Sequence, residues 1–401
     1  MISDLLNFSL LINITLSLTM GYLTMKMIPS LIDKFIQAKR FGIDMNKKSK
    51  PKIPESFGVV AGCMFLIHCF LFMLIPFGQL IAQPEHFSHN EFVEMLASLL
   101  SICCMLLLGF ADDVFDLRWR HKLVLPVLAS LPLLVVYYIN FNSTTVLLPK
   151  QFRHILGSTI NLGVFYYVYM AMLAVFCTNA INILAGVNGL EVGQSVIIAF
   201  SVLILNVIEL IRSFSHSHLL SLYYIVPFLA VSIPLLKYNW CPARIFIGDT
   251  FCYFAGMLFA VVGILGHFSK TLLLFFIPQV FNFLYSLPQL FHFIPCPRHR
   301  LPHLSQDGRL EMSQVEFSLN EVPYLGRIFF ELFHRLRLIK VIKRKGDQIT
   351  CNNFTLINLM LKIFGPTFEE TLTTRLLILQ VICSVIAFSI RYPLAAYFYD
   401  V

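Results

Sequence analysis

Runs of about 18–25 predominantly apolar residues recur along the whole of this 401-residue chain, the length a helix needs to cross ~30 Å of hydrocarbon. No other feature narrows the fold as far, because a chain that buries most of its length in lipid must satisfy its backbone within each spanning segment. Ten spans are read, near 4–28, 57–82, 93–111, 123–140, 160–180, 190–211, 219–236, 246–266, 271–294 and 376–398. Composition agrees: 57% of residues are hydrophobic and 13% charged, against about 25% charged in a soluble domain. The expected architecture is an all-α polytopic membrane protein of about ten transmembrane helices. Residues 1–294 form a core of nine spans, 295–375 a small cytosolic mixed α/β insertion, and 376–401 the last transmembrane helix and C-terminus. Short alternating runs such as Lys340-Val-Ile and Gln348-Ile-Thr suggest strands in the insertion.

Orientation follows from the basic residues. Loop 29–56 and the segments on its side (112–122, 181–189, 237–245 and 295–375) hold 24 Lys or Arg; the opposite side holds Lys150, Arg153, Arg212 and Lys270. The basic side is therefore expected to be cytosolic, with both termini on the other side. No Lys or Arg precedes Lys26, so the first span reads as a retained anchor and not as a signal peptide. The net charge of +8 is mostly this bias, suited to anionic membrane lipid, and the membrane-proximal position of the basic loops argues against nucleic acid. None of the ten Cys falls in an outside loop, so disulfides are not expected. The sequon at Asn142 lies outside and is expected to be glycosylated; the one at Asn353 lies inside and should stay bare.

Four polar clusters fall on the basic side. The first is Asp112, Asp113 and Asp116 with Lys122. Adjacent helical residues point about 100° apart, so Asp112 and Asp113 should serve different ends, while Asp112 and Asp116 share a face. The second is Asn179 and Asn182, followed by Gly186, Asn188 and Gly189. The third is Arg244 with Asp249 at the start of a span. The fourth is Arg298, His299 and Arg300 in the loop after the ninth span. Each has a plain alternative: a boundary ion-pair cluster, a helix C-cap, an N-cap carboxylate and a solvated basic loop. A zinc site among His292, Cys296, His299 and His303 lacks a paired Cys-x-x-Cys. Together the clusters supply acidic and amide oxygens for one divalent ion, and cations for phosphate. That inventory suits a diphosphate substrate, with Mg²⁺ held by few protein oxygens and by the phosphates themselves. The chemistry it points to is phosphoryl transfer onto a lipid acceptor.

At these residues the chain resembles the polyprenyl-phosphate N-acetylhexosamine-1-phosphate transferase family. The segments are Leu108-Gly-Phe-Ala-Asp-Asp-Val, Arg118-Trp-Arg-His-Lys122, Asn179-Ala-Ile-Asn-Ile-Leu-Ala-Gly, Phe246-Ile-Gly-Asp-Thr-Phe-Cys-Tyr-Phe-Ala-Gly256 and Pro295-Cys-Pro-Arg-His-Arg300, in family order over most of the chain. The match is closest to members that use UDP-GlcNAc and dolichyl phosphate at the endoplasmic reticulum membrane. The resemblance implies that Asn182 and Asp249 coordinate Mg²⁺, that Lys122 binds phosphate, and that Asp112 and Asp113 lie beside the lipid phosphate. It implies sugar and diphosphate contacts from Arg298, His299 and Arg300, and a uracil site at Asn188 and Phe246. Glu55 would help cover the nucleotide, Trp119 would wall the sugar, and the chain would form a homodimer. Asp116 carries little weight in that pattern.

Two other classes compete. Asp112-Asp-Val-Phe-Asp116 has the Asp-Asp-x-x-Asp spacing of an intramembrane prenyltransferase, but Asp249 is a lone acid where such enzymes carry a second acidic motif. A nucleotide-sugar or lipid transporter would place its ionisable residues near the bilayer midplane, whereas these cluster at one boundary.

Overall fold

The computed structural model describes residues 2–81, 89–141, 143–213, 215–297 and 300–399. Among them nine helices are long and apolar enough to span a membrane: α1 (Ile2–Gln37), α2 (Gly58–Ile81), α3 (His89–Phe115), α4 (Trp119–Asn140), α6 (Val164–Ile183), α7 (Leu190–Arg212), α8 (His216–Asn239), α9 (Gly248–Leu265) and the helix that begins as α14 (Glu369–Ser389) and continues to Phe398. A tenth crossing comes from α10 (Ser269–Phe275) and α11 (Ile277–Leu290), which meet at 73°. The sequence reads 271–294 as one continuous span; the structure breaks it at Phe276, next to Pro278 in the first turn of α11, where a proline is readily accommodated. Two other ends differ by more than a few residues. α1 runs past residue 28 to Gln37 despite Pro29, and the last span starts at Glu369, its acidic first turn hiding it from an apolar count.

α9 is the centre of the bundle. Every residue from Thr250 to Leu265 is buried. A helix apolar all round is one enclosed by protein on every side. Close approach depends on small residues: a Cβ on Gly256 would lie 2.4 Å from Thr178 Cα of α6. In a bilayer, where lipid is as apolar as leucine, such backbone proximity gives helix pairs their packing energy.

The short elements gather between the spans. An antiparallel pair, β1 (Phe41–Ile43) with β2 (Lys52–Pro54), registers Phe41 against Pro54 in the loop after α1. Between α4 and α6 lie β3 (Thr145–Leu147), α5 (Arg153–Leu156) and β4 (Thr159–Asn161). The segment after α11 holds the β5 (His303–Leu304) and β6 (Leu310–Glu311) hairpin, then β7 (Gln314–Ser318), α12 (Tyr324–Arg335), β8 (Val341–Lys345), β9 (Gln348–Asn352) and α13 (Leu356–Phe364). β7, β9 and β8 form a three-stranded antiparallel sheet in that order. Its core of Phe317, Phe330, Phe333, Ile349 and Phe354 is continuous with Leu184 and Val187 after α6 and with Tyr285 of α11, so the segment is packed onto the bundle and not tethered to it. Asn353 is 1% exposed and its amide bonds Gln289 and Ser313. Asn142 lies outside the described residues. All ten cysteines are free.

Candidate active site

The last turn of α3 delivers two adjacent carboxylates to different neighbours, as a 100° step requires. Asp112, 3% exposed, sits 2.8 Å from Lys122 Nζ, accepts the Tyr253 hydroxyl at 2.9 Å, and accepts the Leu117 N–H. Lys122 stands in the first turns of α4 and reaches Asp249 Oδ2 as well, at 2.9 Å. Asn179 of α6 donates to the Lys122 carbonyl at 3.2 Å and so fixes the start of α4 against α6.

Asp113 faces the other way. Its carboxylate accepts from the backbone N–H groups of Asp249 (2.6 Å) and Thr250 (3.3 Å) and from the Thr250 hydroxyl. The first amides of a helix have no partner within it; here a carboxylate from α3 caps α9. Gly248, at φ +71°, makes room, since a Cβ there would stand 2.1 Å from Asp113 Oδ2. The sequence allows Asp249 to be that cap. Because Asp113 takes the task, the Asp249 carboxylate is left with Lys122 on one side and open space on the other.

That space is a cavity of about 280 Å³. It brings together Glu55, Asn182, Gly186, Asn188, Phe246 and Asp249, all singled out in the sequence. Asp44, Glu191 and Leu301 complete much of the wall. Burial, and then the charge of Asp249, hold the Glu55 carboxyl above its ordinary range, with Arg40 opposing. Arg300 adjoins the wall through Leu301. Its guanidinium Nη1 is buried without a hydrogen-bond partner, and burial pushes its pKa down, although a guanidinium stays charged at neutral pH. A buried cation lacking an anion is costly, so this geometry favours an anionic ligand.

Other expected residues stand apart. Asp116 does not share a face with Asp112: α3 stops at Phe115, Asp116 takes φ +50°, and its side chain is exposed. Arg244 is exposed and does not line the cavity. Trp119 opens α4. Arg298 and His299 fall outside the described residues.

One residue absent from the sequence reading organises the wall. Glu369, 4% exposed, accepts from Lys47 Nζ (2.6 Å), Asn46 Nδ2 (2.9 Å) and the Asn188 backbone N–H (2.9 Å). It joins the loop after α1, the turn before α7 and the last span. In one dimension it is only an acid before an apolar run, more than 180 residues from Asn188. Burial, the largest single effect, pulls Lys47 down, yet Glu369 and Cys241 together carry the ammonium up to about 12.

The donor set fits a hard divalent ion. Asp249 keeps 28% of its side chain exposed, and the Asn182 amide lies on the same wall. No group of three His, Cys, Asp or Glu is arranged as a metal cage among the described residues. Mg²⁺ does not need one, because it retains waters and takes substrate phosphates as ligands.

The chain is similar to proteins already known. The profile of glycosyl transferase family 4 matches residues 95–267, which carry Asp112, Lys122, Asn182 and Asp249. The UDP-N-acetylglucosamine–dolichyl-phosphate N-acetylglucosaminephosphotransferase of Schizosaccharomyces pombe is 44% identical over 97% of this chain and 93% of its own. The proteins of the same name from Dictyostelium discoideum and Saccharomyces cerevisiae are 47% and 42% identical, over 93% and 94% of this chain and 86% and 90% of theirs.

Proposed function

The chain belongs to the family of these N-acetylglucosaminephosphotransferases, and from that membership we propose that it transfers GlcNAc-1-phosphate from UDP-GlcNAc to dolichyl phosphate. A phosphate oxygen of the lipid attacks the sugar-bearing phosphorus of the donor. The new P–O–P bond forms as the bond from that phosphorus to the bridging oxygen breaks, and UMP leaves with the electron pair. The products are GlcNAc-diphosphodolichol and UMP. The observation that carries this reading is the junction at Asp249, where a cavity lined by Glu55, Asn182, Asn188 and Phe246 meets Lys122 between two carboxylates.

The roles proposed join the family resemblance to each residue's place around the cavity. Asn188 and Phe246 hold the uracil, Phe246 by stacking. Glu55 covers the nucleotide. Asp249 and Asn182 hold Mg²⁺, which when bound neutralises charge on the diphosphate. Lys122 has three N–H donors and commits two, to Asp112 and Asp249, which leaves one for a phosphate oxygen. The acceptor phosphate is already anionic at neutral pH, so stabilisation of charge, and not proton removal, is the main requirement. Asp112 steadies Lys122, and Asp113 sets the orientation of Asp249 through the α9 amides. The family resemblance assigns Arg298, His299 and Arg300 to the sugar and diphosphate, and Trp119 to the sugar.

The site is assigned to the cytosolic face of the endoplasmic reticulum membrane, in a homodimer. The test is UMP release by the purified full-length chain from UDP-GlcNAc, with dolichyl phosphate and Mg²⁺ each present or omitted. Release that needs both supports the assignment; release without the lipid phosphate, or none at all, removes it. Mapping a glycan on Asn142 checks the orientation, since its absence from the outer side would argue for the reverse topology.

A further inference from the structure

Asn188 has every polar atom but one committed. Its backbone N–H donates to Glu369 and its carbonyl accepts the Thr373 hydroxyl at 3.0 Å. Its Nδ2 donates to Asp44 Oδ2 at 3.0 Å and lies 3.4 Å from Glu369 Oε2. Asp44 and Glu369 are 3% and 4% exposed, so little of either residue is open to water. An amide can face its neighbours with nitrogen or with oxygen, and only the network decides which. Ionised carboxylates only accept. Two of them along one edge of the amide require nitrogen on their side and put Oδ1 on the other. Among the described residues no protein donor reaches Asn188 Oδ1.

Resting on the reading of this cavity as the uridine site, we infer that Asp44 and Glu369 are positioning residues that set base specificity, locking the Asn188 amide so that it offers the base an acceptor. Uracil matches, because its ring imide carries an N–H between two carbonyls. Cytosine presents a bare acceptor nitrogen at the same ring position. With the amide turned round, the site would offer an N–H and the preference would move toward cytosine. Glu369 also receives Asn46 and Lys47, so the same carboxylate that orients the amide ties down the loop beside it.

The test is calorimetry on the full chain in detergent with UMP, CMP and 3-methyluridine 5′-monophosphate. The wild type should bind UMP at least ~10-fold more tightly than either analogue, the cost of one lost buried hydrogen bond. Asp44→Asn keeps the shape but adds an N–H donor that lets the Asn188 amide turn. It should lower the UMP-to-CMP preference ~10-fold and raise KM for UDP-GlcNAc while kcat at saturation is kept. Equal binding of the N3-methyl analogue by the wild type overturns the inference without any variant. So does an Asp44→Asn protein that weakens UMP and CMP in proportion. Asn188→Ala separates the two levels: undiminished UMP binding there removes the uridine site itself and this inference with it. Weakened UMP binding in Asn188→Ala, with base preference unmoved in Asp44→Asn, removes the inference alone.

Discussion

Two charged nodes stand at the same end of the bundle and are built in opposite ways. At Glu369 a single carboxylate receives an ammonium and several N–H donors, so its charge is balanced and its oxygens are filled. At Lys122 a single ammonium lies between Asp112 and Asp249, and Glu55 stands on the same cavity as Asp249. That node carries excess negative charge, and one of its carboxylates remains partly exposed. The Glu369 carboxylate, matched by Lys47 and with its oxygens filled, asks for no further partner. An unbalanced one is relieved by a divalent cation and by the phosphates that accompany it. Arg300 is the complement, a half-buried cation whose Nη1 is buried with no partner among the described residues. The difference separates residues that hold the shape of the site from residues that await a ligand.

Substitutions should sharpen that contrast, beginning with the unbalanced node. Asp249→Ala removes the carboxylate that faces the cavity and should lower turnover by at least ~10³-fold and abolish its Mg²⁺ dependence. Near-normal activity in a folded Asp249→Ala protein would return Asp249 to a structural part. Lys122→Ala loses one charge-assisted contact, worth roughly 2–4 kcal/mol or about 10²–10³ in rate. The loss should appear in kcat more than in KM if the contact tightens in the transition state. A change confined to KM would put Lys122 in ground-state binding.

The saturated node should answer differently. Glu369→Ala leaves Asn46, Lys47 and the Asn188 N–H without their acceptor, and partly exposed Lys47 can recover water. A loss of roughly 1–3 kcal/mol in stability is expected, read as a lower Tm, with UMP affinity falling alongside. An Asp249→Ala protein should not share that loss of Tm, and if both variants lost equal stability the contrast between the nodes would fail.

The smallest effect concerns Glu55. Its pKa in the folded protein is raised above the ordinary 4.5, chiefly by burial. A group raised in the folded state contributes stability in its protonated form, present in full below the unfolded pKa and lost as pH rises through the folded one. At neutral pH the Glu55 charge therefore costs stability. Glu55→Gln should raise Tm slightly at pH 7, and the gain should vanish as pH falls below 4.5. A gain independent of pH would show that the charge of Glu55 is not its cause.

Much of this was legible in one dimension because the bilayer enforces it. Apolar length marks the spans, and Lys and Arg mark their orientation, since each spanning segment must meet the same thickness of hydrocarbon. Asn182, Asn188 and Asp249 stood out as polar residues at span boundaries, the family resemblance added Phe246, and one cavity wall gathers them. The broken α10–α11 crossing was not legible, because a bend leaves the apolar count unchanged.

Sequence by itself determined the class, the placing of most spans and the set of polar residues at one face, because hydrophobic length and charge bias act locally along the chain. Only the tertiary structure decided how those residues divide the work. Asp112 pairs with Lys122 while its neighbour Asp113 caps α9, and Glu369 reaches back across the chain to Asn188. Hydrogen bonds form over about 3 Å of space regardless of separation in sequence. The same carboxylate is a cap, an ion-pair partner or an anchor according to what folding brings beside it.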